Sequence, residues 1–158
     1  MRNNQPITQK QIHIKDGAIL STTTDLKGTI LSATDDFIEV SGFTQEEMIG
    51  QPHNMIRHPD VPPAVFKDLW ETLKKGKSWN AVVKNRAKNG DHYWVDANAA
   101  PIVENGKVVG YVSVRTSATA EQIEAASALY QKVASGKMLL EEGIAKTPMQ
   151  KNGKNSIY

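Results

Sequence analysis

The sequence has no cysteine among its 158 residues. That excludes thiol nucleophiles, thiolate zinc sites, iron–sulfur clusters and any light-driven chemistry that needs a cysteinyl adduct, and it is compatible with a reducing compartment. Long apolar runs are missing as well: nowhere does the chain approach the roughly eighteen consecutive apolar residues of a membrane span. The opening stretch MRNNQPITQKQIHIKDG lacks the apolar segment of an export signal. The chain as given is expected to be neither exported nor membrane-inserted, and cytoplasmic. An excess of one charge is also lacking. The 19 Lys and Arg are interspersed with 17 Asp and Glu, leaving a formal net charge of +2 and no basic stripe, so no face is expected to bind nucleic acid. What is present is ordinary globular composition, 39% hydrophobic and 23% charged, enough for one domain with its own core and no need of disulfides or a structural metal.

Composition divides the chain into a polar N-terminal cap or lead (1–17), a dense centre (18–119), an amphipathic helix (120–136) and a polar tail or linker (137–158). In the centre, Ala18 to Thr24 is apolar and β-branched, Asp25-Leu26-Lys27-Gly28 reads as a turn, and Thr29 to Ala33 returns as a strand. Asp35 to Phe43 predicts a short helix ended by Gly42. Thr44-Gln45-Glu46-Glu47 is a capping box that opens another short helix before Gly50. After an irregular stretch with Pro52, Pro59, Pro62 and Pro63, residues 64–75 place Val65, Leu69, Trp70 and Leu73 on one helical face and stop at Gly76. Trp79, Ala81, Val83 and Asn85 then alternate with polar or outward neighbours, Lys88-Asn89-Gly90-Asp91 turns the chain, and Tyr93, Val95, Ala97 and Ala99 alternate in reply. A last hairpin turns at Glu104-Asn105-Gly106-Lys107 and returns Val108 to Arg115. Two strands, several short helices and a three-stranded meander predict an α+β domain: a five-stranded antiparallel sheet with short helices covering one face and a flanking C-terminal helix.

This order, together with Phe37 to Gly50 and Lys88-Asn89-Gly90, resembles a PAS domain over residues 18–119. The run from Gly50 to Asp60, which contains His53-Asn54-Met55-Ile56-Arg57-His58-Pro59-Asp60, joins with Lys84-Asn85-Arg86 and with Gly90 to Val95 in a more specific likeness. It resembles the FAD-binding PAS domain of the bacterial aerotaxis receptor family. That resemblance implies a noncovalent FAD site and a redox or oxygen sensor for aerotaxis. Its partners would be a neighbouring receptor signalling domain or the chemotaxis machinery, with a homodimer as a further possibility, and it would not be an enzyme. Against flavin-binding light sensors, His53 falls where the reactive cysteine stands and Asn85 on a ring-contacting asparagine. Arg115 replaces a glutamine that senses the ring, and its charge would respond to an anionic reduced flavin if it points inward rather than to solvent. Phe66 and Trp70 match positions that line the cofactor cleft. The family usually has Asn where this chain has Thr34, which keeps a hydroxyl and loses an amide.

The residues suit that chemistry on their own terms. A flavin needs apolar walls and a few amide-type groups for its pyrimidine edge. Trp79, Ala81 and Val83 offer wall, Asn85 offers an amide, and Tyr93 stands beside small residues that leave room. The same set also suits a plainly packed core with Asn85 satisfied by backbone. His53, Arg57, His58 and Asp60 must be displayed from an irregular loop, where Arg57 can hold phosphate oxygens and Asp60 can orient Arg57 or His58. No metal is expected, because the loop lacks a third soft ligand and a recognised spacing. Two alternatives stay open: a haem-binding gas sensor with His53 or His58 as axial ligand, and a cofactor-free interaction module packed over by Phe66, Trp70 and Trp79.

Overall fold

The computed structural model describes residues 4–151. Five strands, β1 (Leu20–Thr24), β2 (Ile30–Ala33), β3 (Trp79–Arg86), β4 (His92–Glu104) and β5 (Lys107–Ser117), form one antiparallel sheet in the order β2-β1-β5-β4-β3. Between β2 and β3 lie helices α1 (Asp35–Ser41) and α2 (Gln45–Met48), a 3-10 turn His53–Ile56, and α3 (Pro63–Lys74). The sheet order follows from the chain. Three consecutive strands joined by tight turns pair with their neighbours, and β1 closes the remaining edge of β5.

Local chemistry sets the element ends. Gly42 ends α1 in the left-handed region at φ 76°, where a residue with a Cβ would be strained. The capping box at Thr44 is complete, with its hydroxyl accepting from Glu47 N and the Glu47 carboxylate accepting from Thr44 N. Asn105 and Gly106 both have positive φ, the signature of the two-residue turn that matches strand twist between β4 and β5.

Register decides what faces inward. Asn85 pairs with Tyr93, Val83 with Val95, Ala81 with Ala97 and Trp79 with Ala99. Ala97 in turn pairs with Arg115 and Ala99 with Ser113, while Leu20 lies opposite Arg115 and Thr22 opposite Ser113. With a side-chain period of two, these residues share the face covered by α1, α3 and the 3-10 turn. The core there is built on Leu20, Ile30, Phe37, Met48, Val65, Tyr93 and Val95, all fully or almost fully buried.

The C-terminal flank departs from the sequence expectation. The lead packs on the domain: Ile12 N donates to His92 O, His92 N donates to Lys10 O, and the Asn4 amide donates to the carbonyls of Asn54 and Arg57. The expected tail or linker from residue 137 contains a hairpin of β6 (Leu139–Glu141) and β7 (Ile144–Lys146), followed by α5 (Pro148–Lys151), and Leu140 is buried. A short hairpin is marginal by itself and gains its stability by docking on the domain, which composition does not reveal. Residues 152–158 of the expected tail lie outside the described residues.

Helix α4 (Ala120–Ala134) starts at a second capping box, Thr119 with Gln122, and its Tyr130 hydroxyl donates to Val82 O on edge strand β3. The backbone of Arg57 bridges to Asn85 on the same edge. Loop and helix thus cover an edge that would otherwise offer unpaired backbone groups.

Candidate functional site

Between the inward sheet face and α3 lies a cavity of about 60 Å³. Its apolar wall comes from Ile56, Phe66, Leu69, Leu73, Trp79 and Val83, and its polar end from Thr22, His53, Asn85 and Arg115, with Arg57 and Trp70 also lining it. The space is small because α3 lies close against strands whose inward residues are Ala97, Ala99 and Ser113. Trp70 stacks edge-on against Tyr111, with ring centroids 5.5 Å apart. Gly28 makes room for it: a Cβ there would lie 3.2 Å from the indole.

The polar end is built around a buried cation. Arg115 is 3% exposed, and among the described residues no carboxylate pairs with it. Its guanidinium lies 4.9 Å from the Phe37 ring centroid and donates to His53 Nε2 at 2.7 Å, and more distantly to Thr22 Oγ1 and Leu20 O. Burial lowers its pKa to about 10, with Tyr93 acting in the opposite sense, so the charge persists at neutral pH. Arginine only donates, which makes His53 Nε2 an acceptor and puts the ring proton on Nδ1. Thr22 Oγ1, 2.9 Å from the same nitrogen, donates to it while accepting from Arg115. Burial first, then the charges of Arg115 and Arg57, holds the His53 pKa well below the usual histidine range, and the ring is neutral.

Beside this cation stand two buried polar groups that meet little besides each other. Asn85 Nδ2 and Tyr93 Oη are buried and form no hydrogen bond of normal geometry among the described residues. Burial pushes the Tyr93 pKa up, so its hydroxyl stays protonated. Buried polar groups are nearly always paired, and such an exception next to a cavity marks where a ligand's polar edge can bind. The Arg57 guanidinium lies 4.3 Å over the Phe66 ring, half-buried and without a carboxylate partner among the described residues.

The structure brings together His53, Arg57, Phe66, Trp70, Trp79, Asn85 and Arg115 on the cavity, with Tyr93 buried against its polar end. It places three expected residues elsewhere. Thr34 stands at the start of α1, where its hydroxyl donates to Ile19 O and accepts from Ser21 N, so it ties β1 to β2 at the surface. His58 points away from the cavity toward His92, with ring centroids 6.0 Å apart, and its Nδ1 accepts from Asp60 N. Burial and the Lys84 charge lower its pKa to about 4. Asp60 pairs with Lys84 at 2.7 Å and stands 3.8 Å from His58 Nδ1, so of its two expected partners it meets His58 and not Arg57. The physical reason is that Arg57 is extended and bridged to Asn85, so His58, the next residue, faces the opposite side.

Sequence reasoning missed Thr22, Tyr111 and Asp68. The first two lie in register with inward neighbours and were accessible from alternation once the β1–β5 pairing was known. Asp68, an acid on the buried side of α3, carries no sequence signal; its carboxylate accepts from the Trp79 indole at 2.8 Å.

Comparison with known proteins places this geometry. The PAS fold family model matches residues 30–115. The aerotaxis receptor of Escherichia coli K12 is 52% identical over 137 residues, covering 87% of this chain and 27% of the receptor. A nitrogen fixation regulatory protein of Klebsiella pneumoniae is 20% identical over 65% of the chain and 21% of its own length. The chain thus spans about a quarter of the length of these relatives. Among solved structures, the PAS domain of a Colwellia psychrerythraea protein superposes with a TM-score of 0.58 at 24% identity, covering 64% of this chain and 86% of that one. A light-oxygen-voltage domain studied with a flavin analogue superposes with a TM-score of 0.62 at 20% identity, covering 73% and 87%. Those two likenesses speak for the fold. The chain belongs to the PAS fold family, and over most of its length it is similar to the aerotaxis receptor.

Proposed function

We propose that this PAS domain is a sensor of the aerotaxis type that holds a flavin noncovalently between the sheet and α3 and reports its redox state. The observation that carries this reading is the buried Arg115 guanidinium, with no carboxylate partner among the described residues, set beside an Asn85 amide and a Tyr93 hydroxyl that form no hydrogen bond of normal geometry there. A flavin's pyrimidine edge presents alternating carbonyl and ring-nitrogen groups, which answer both a donor amide and a hydroxyl. When bound, the flavin supplies reversible electron uptake, and the negative charge that reduction develops would lie near Arg115. Trp79, Val83 and Phe66 form the apolar wall, Asn85 and Tyr93 hold the polar edge, and Arg57 is placed for phosphate oxygens.

FAD rather than FMN is proposed from the resemblance to the aerotaxis receptor family. The same source suggests that the domain acts in the cytoplasm, not as an enzyme, and that it passes its state to a neighbouring receptor domain or to the chemotaxis machinery. The geometry favours flavin over haem. His53 Nε2 is engaged by Arg115 and Thr22, and His58 lies off the cavity, so neither imidazole offers an axial nitrogen.

The test is the visible spectrum of the freshly purified protein, followed by heat release and chromatographic identification of the chromophore. A two-banded flavin spectrum that bleaches reversibly on reduction is expected, with FAD in the supernatant. A colourless protein that also refuses added FAD overturns the reading and leaves an interaction module. Asn85→Ala is expected to weaken flavin retention by about ten-fold, the cost of one hydrogen bond, and Arg57→Ala by more where a charged phosphate contact is lost. Unchanged flavin stoichiometry in both folded variants would contradict the site.

A further inference from the structure

The Asp68 carboxylate is 7% exposed and is satisfied wholly by N–H donors. Trp79 Nε1 and Gly143 N both donate to its Oδ2, and Glu142 N donates to Oδ1, each at 2.8 Å. No lysine or arginine pairs with it among the described residues. These three donors come from two different places. Trp79 is wall of the cavity, whereas Glu142 and Gly143 form the turn of the β6–β7 hairpin. Both turn residues have positive φ, 54° and 81°, and the successive N–H groups of such a turn make a small concave anion site. The turn also presses on β3: a Cβ at Gly143 would fall 2.4 Å from Asn80 O. The hairpin turn therefore straps the seam between α3, which carries Asp68, and β3, which carries Trp79 and Asn80.

A three-ring ligand cannot enter a cavity of about 60 Å³ unless the wall moves. The sheet side is held by the β3–β4–β5 register, so the seam between α3 and β3 is the part that can widen. We propose that the β6–β7 hairpin is a strap whose docking on Asp68 is coupled to cavity loading: ring entry widens the seam, stretches the shared Asp68 bonds and loosens the hairpin. Asp68 is the positioning residue of this device. The identity of the ligand rests on the flavin reading above. Because coupling is reciprocal, undocking the strap must tighten flavin binding by the same factor by which flavin loosens the strap.

Amide hydrogen exchange at Glu142 and Gly143 in the full chain tests this, before and after addition of FAD. Loading is expected to speed exchange at both amides by about ten-fold, the change that follows from losing one charge-assisted hydrogen bond. Asp68→Asn is expected to speed it without flavin and to abolish the response to loading. Gly143→Ala, which undocks the turn, is expected to lower the FAD dissociation constant by a matching factor. Exchange indifferent to loading, or a response that survives in Asp68→Asn, overturns the strap. If no FAD binds by absorbance titration, the flavin reading falls separately. The strap is then judged on Trp79→Phe: faster exchange at both turn amides upholds the link through Asp68, and unchanged exchange overturns it.

Discussion

Arg115 and Thr34 show how far single residues can be read ahead of the structure. An arginine on a strand that alternates with Val112 and Val114 can face either way, and only pairing with Ala97 and Leu20 turns Arg115 inward. Thr34 sits directly after a strand whose inward face was legible, yet its hydroxyl is used locally between Ile19 and Ser21. The histidines share a physical logic that yields a prediction. His53, His58 and His92 all have pKa values below the ordinary 6.5 because burial disfavours their charged forms, His58 reaching about 4. The folded protein therefore binds fewer protons than the unfolded chain below about pH 6.5, and stability must fall as pH falls through that point. The urea midpoint is expected to be flat above pH 7 and to drop steadily from pH 6.5 to 4. His58→Gln, which removes one such group, should shallow that slope by at most about 1.4 kcal/mol per pH unit. A midpoint that rises on acidification would refute the assignment of neutral buried imidazoles.

Among the elements, strands and helices were legible wherever a period of two or a cap was clean. The Gly42 stop, the Thr44 capping box and both glycine turns of the meander formed as their residues dictate. Elements that owe their existence to docking were not legible: β6 and β7 are three residues each, too short to carry a pattern. One glycine tests the sheet at this scale. Gly110 on β5 lies so close to β1 that a Cβ would meet Thr24 O at 2.2 Å, a contact no side chain can accept. Gly110→Ala is expected to cost on the order of 1–3 kcal/mol through forced backbone displacement. Chemical denaturation would show it, and a loss under about 0.5 kcal/mol, the range of ordinary surface substitutions, would count against the close β1–β5 approach.

At the scale of the whole molecule, edge strand β3 is the junction where the Arg57 segment, α4 and the β6–β7 hairpin converge. The Arg57 backbone bridges to it, Tyr130 of α4 caps its Val82 carbonyl, and the hairpin turn presses on Asn80. Trp94, Lys84 and Asp60 line a surface pocket together with Tyr130 and Gln131 of α4. A chain ending at Thr119 would leave this edge and the buried Trp94 open to water. Its thermal midpoint is expected to fall by several degrees, as the loss of one or two kcal/mol implies for a domain of this size. An unchanged midpoint would mean that α4 and the hairpin sit on the domain without stabilising it.

The sequence by itself determined the order of elements, the turns and the inward face of each strand of the meander, because alternation, caps and positive-φ glycines are local and act on neighbouring residues. It also marked one wall of the cavity, since Trp79, Val83 and Asn85 follow from one period of two. Only the tertiary structure decided that Arg115 is buried without a counter-ion among the described residues, that His58 and Asp60 turn away, and that Asp68 joins the cavity wall to the β6–β7 turn. Those outcomes depend on pairings between residues dozens of positions apart. Such contacts are set by sheet register and by which surfaces remain to be covered, and no local pattern carries that information.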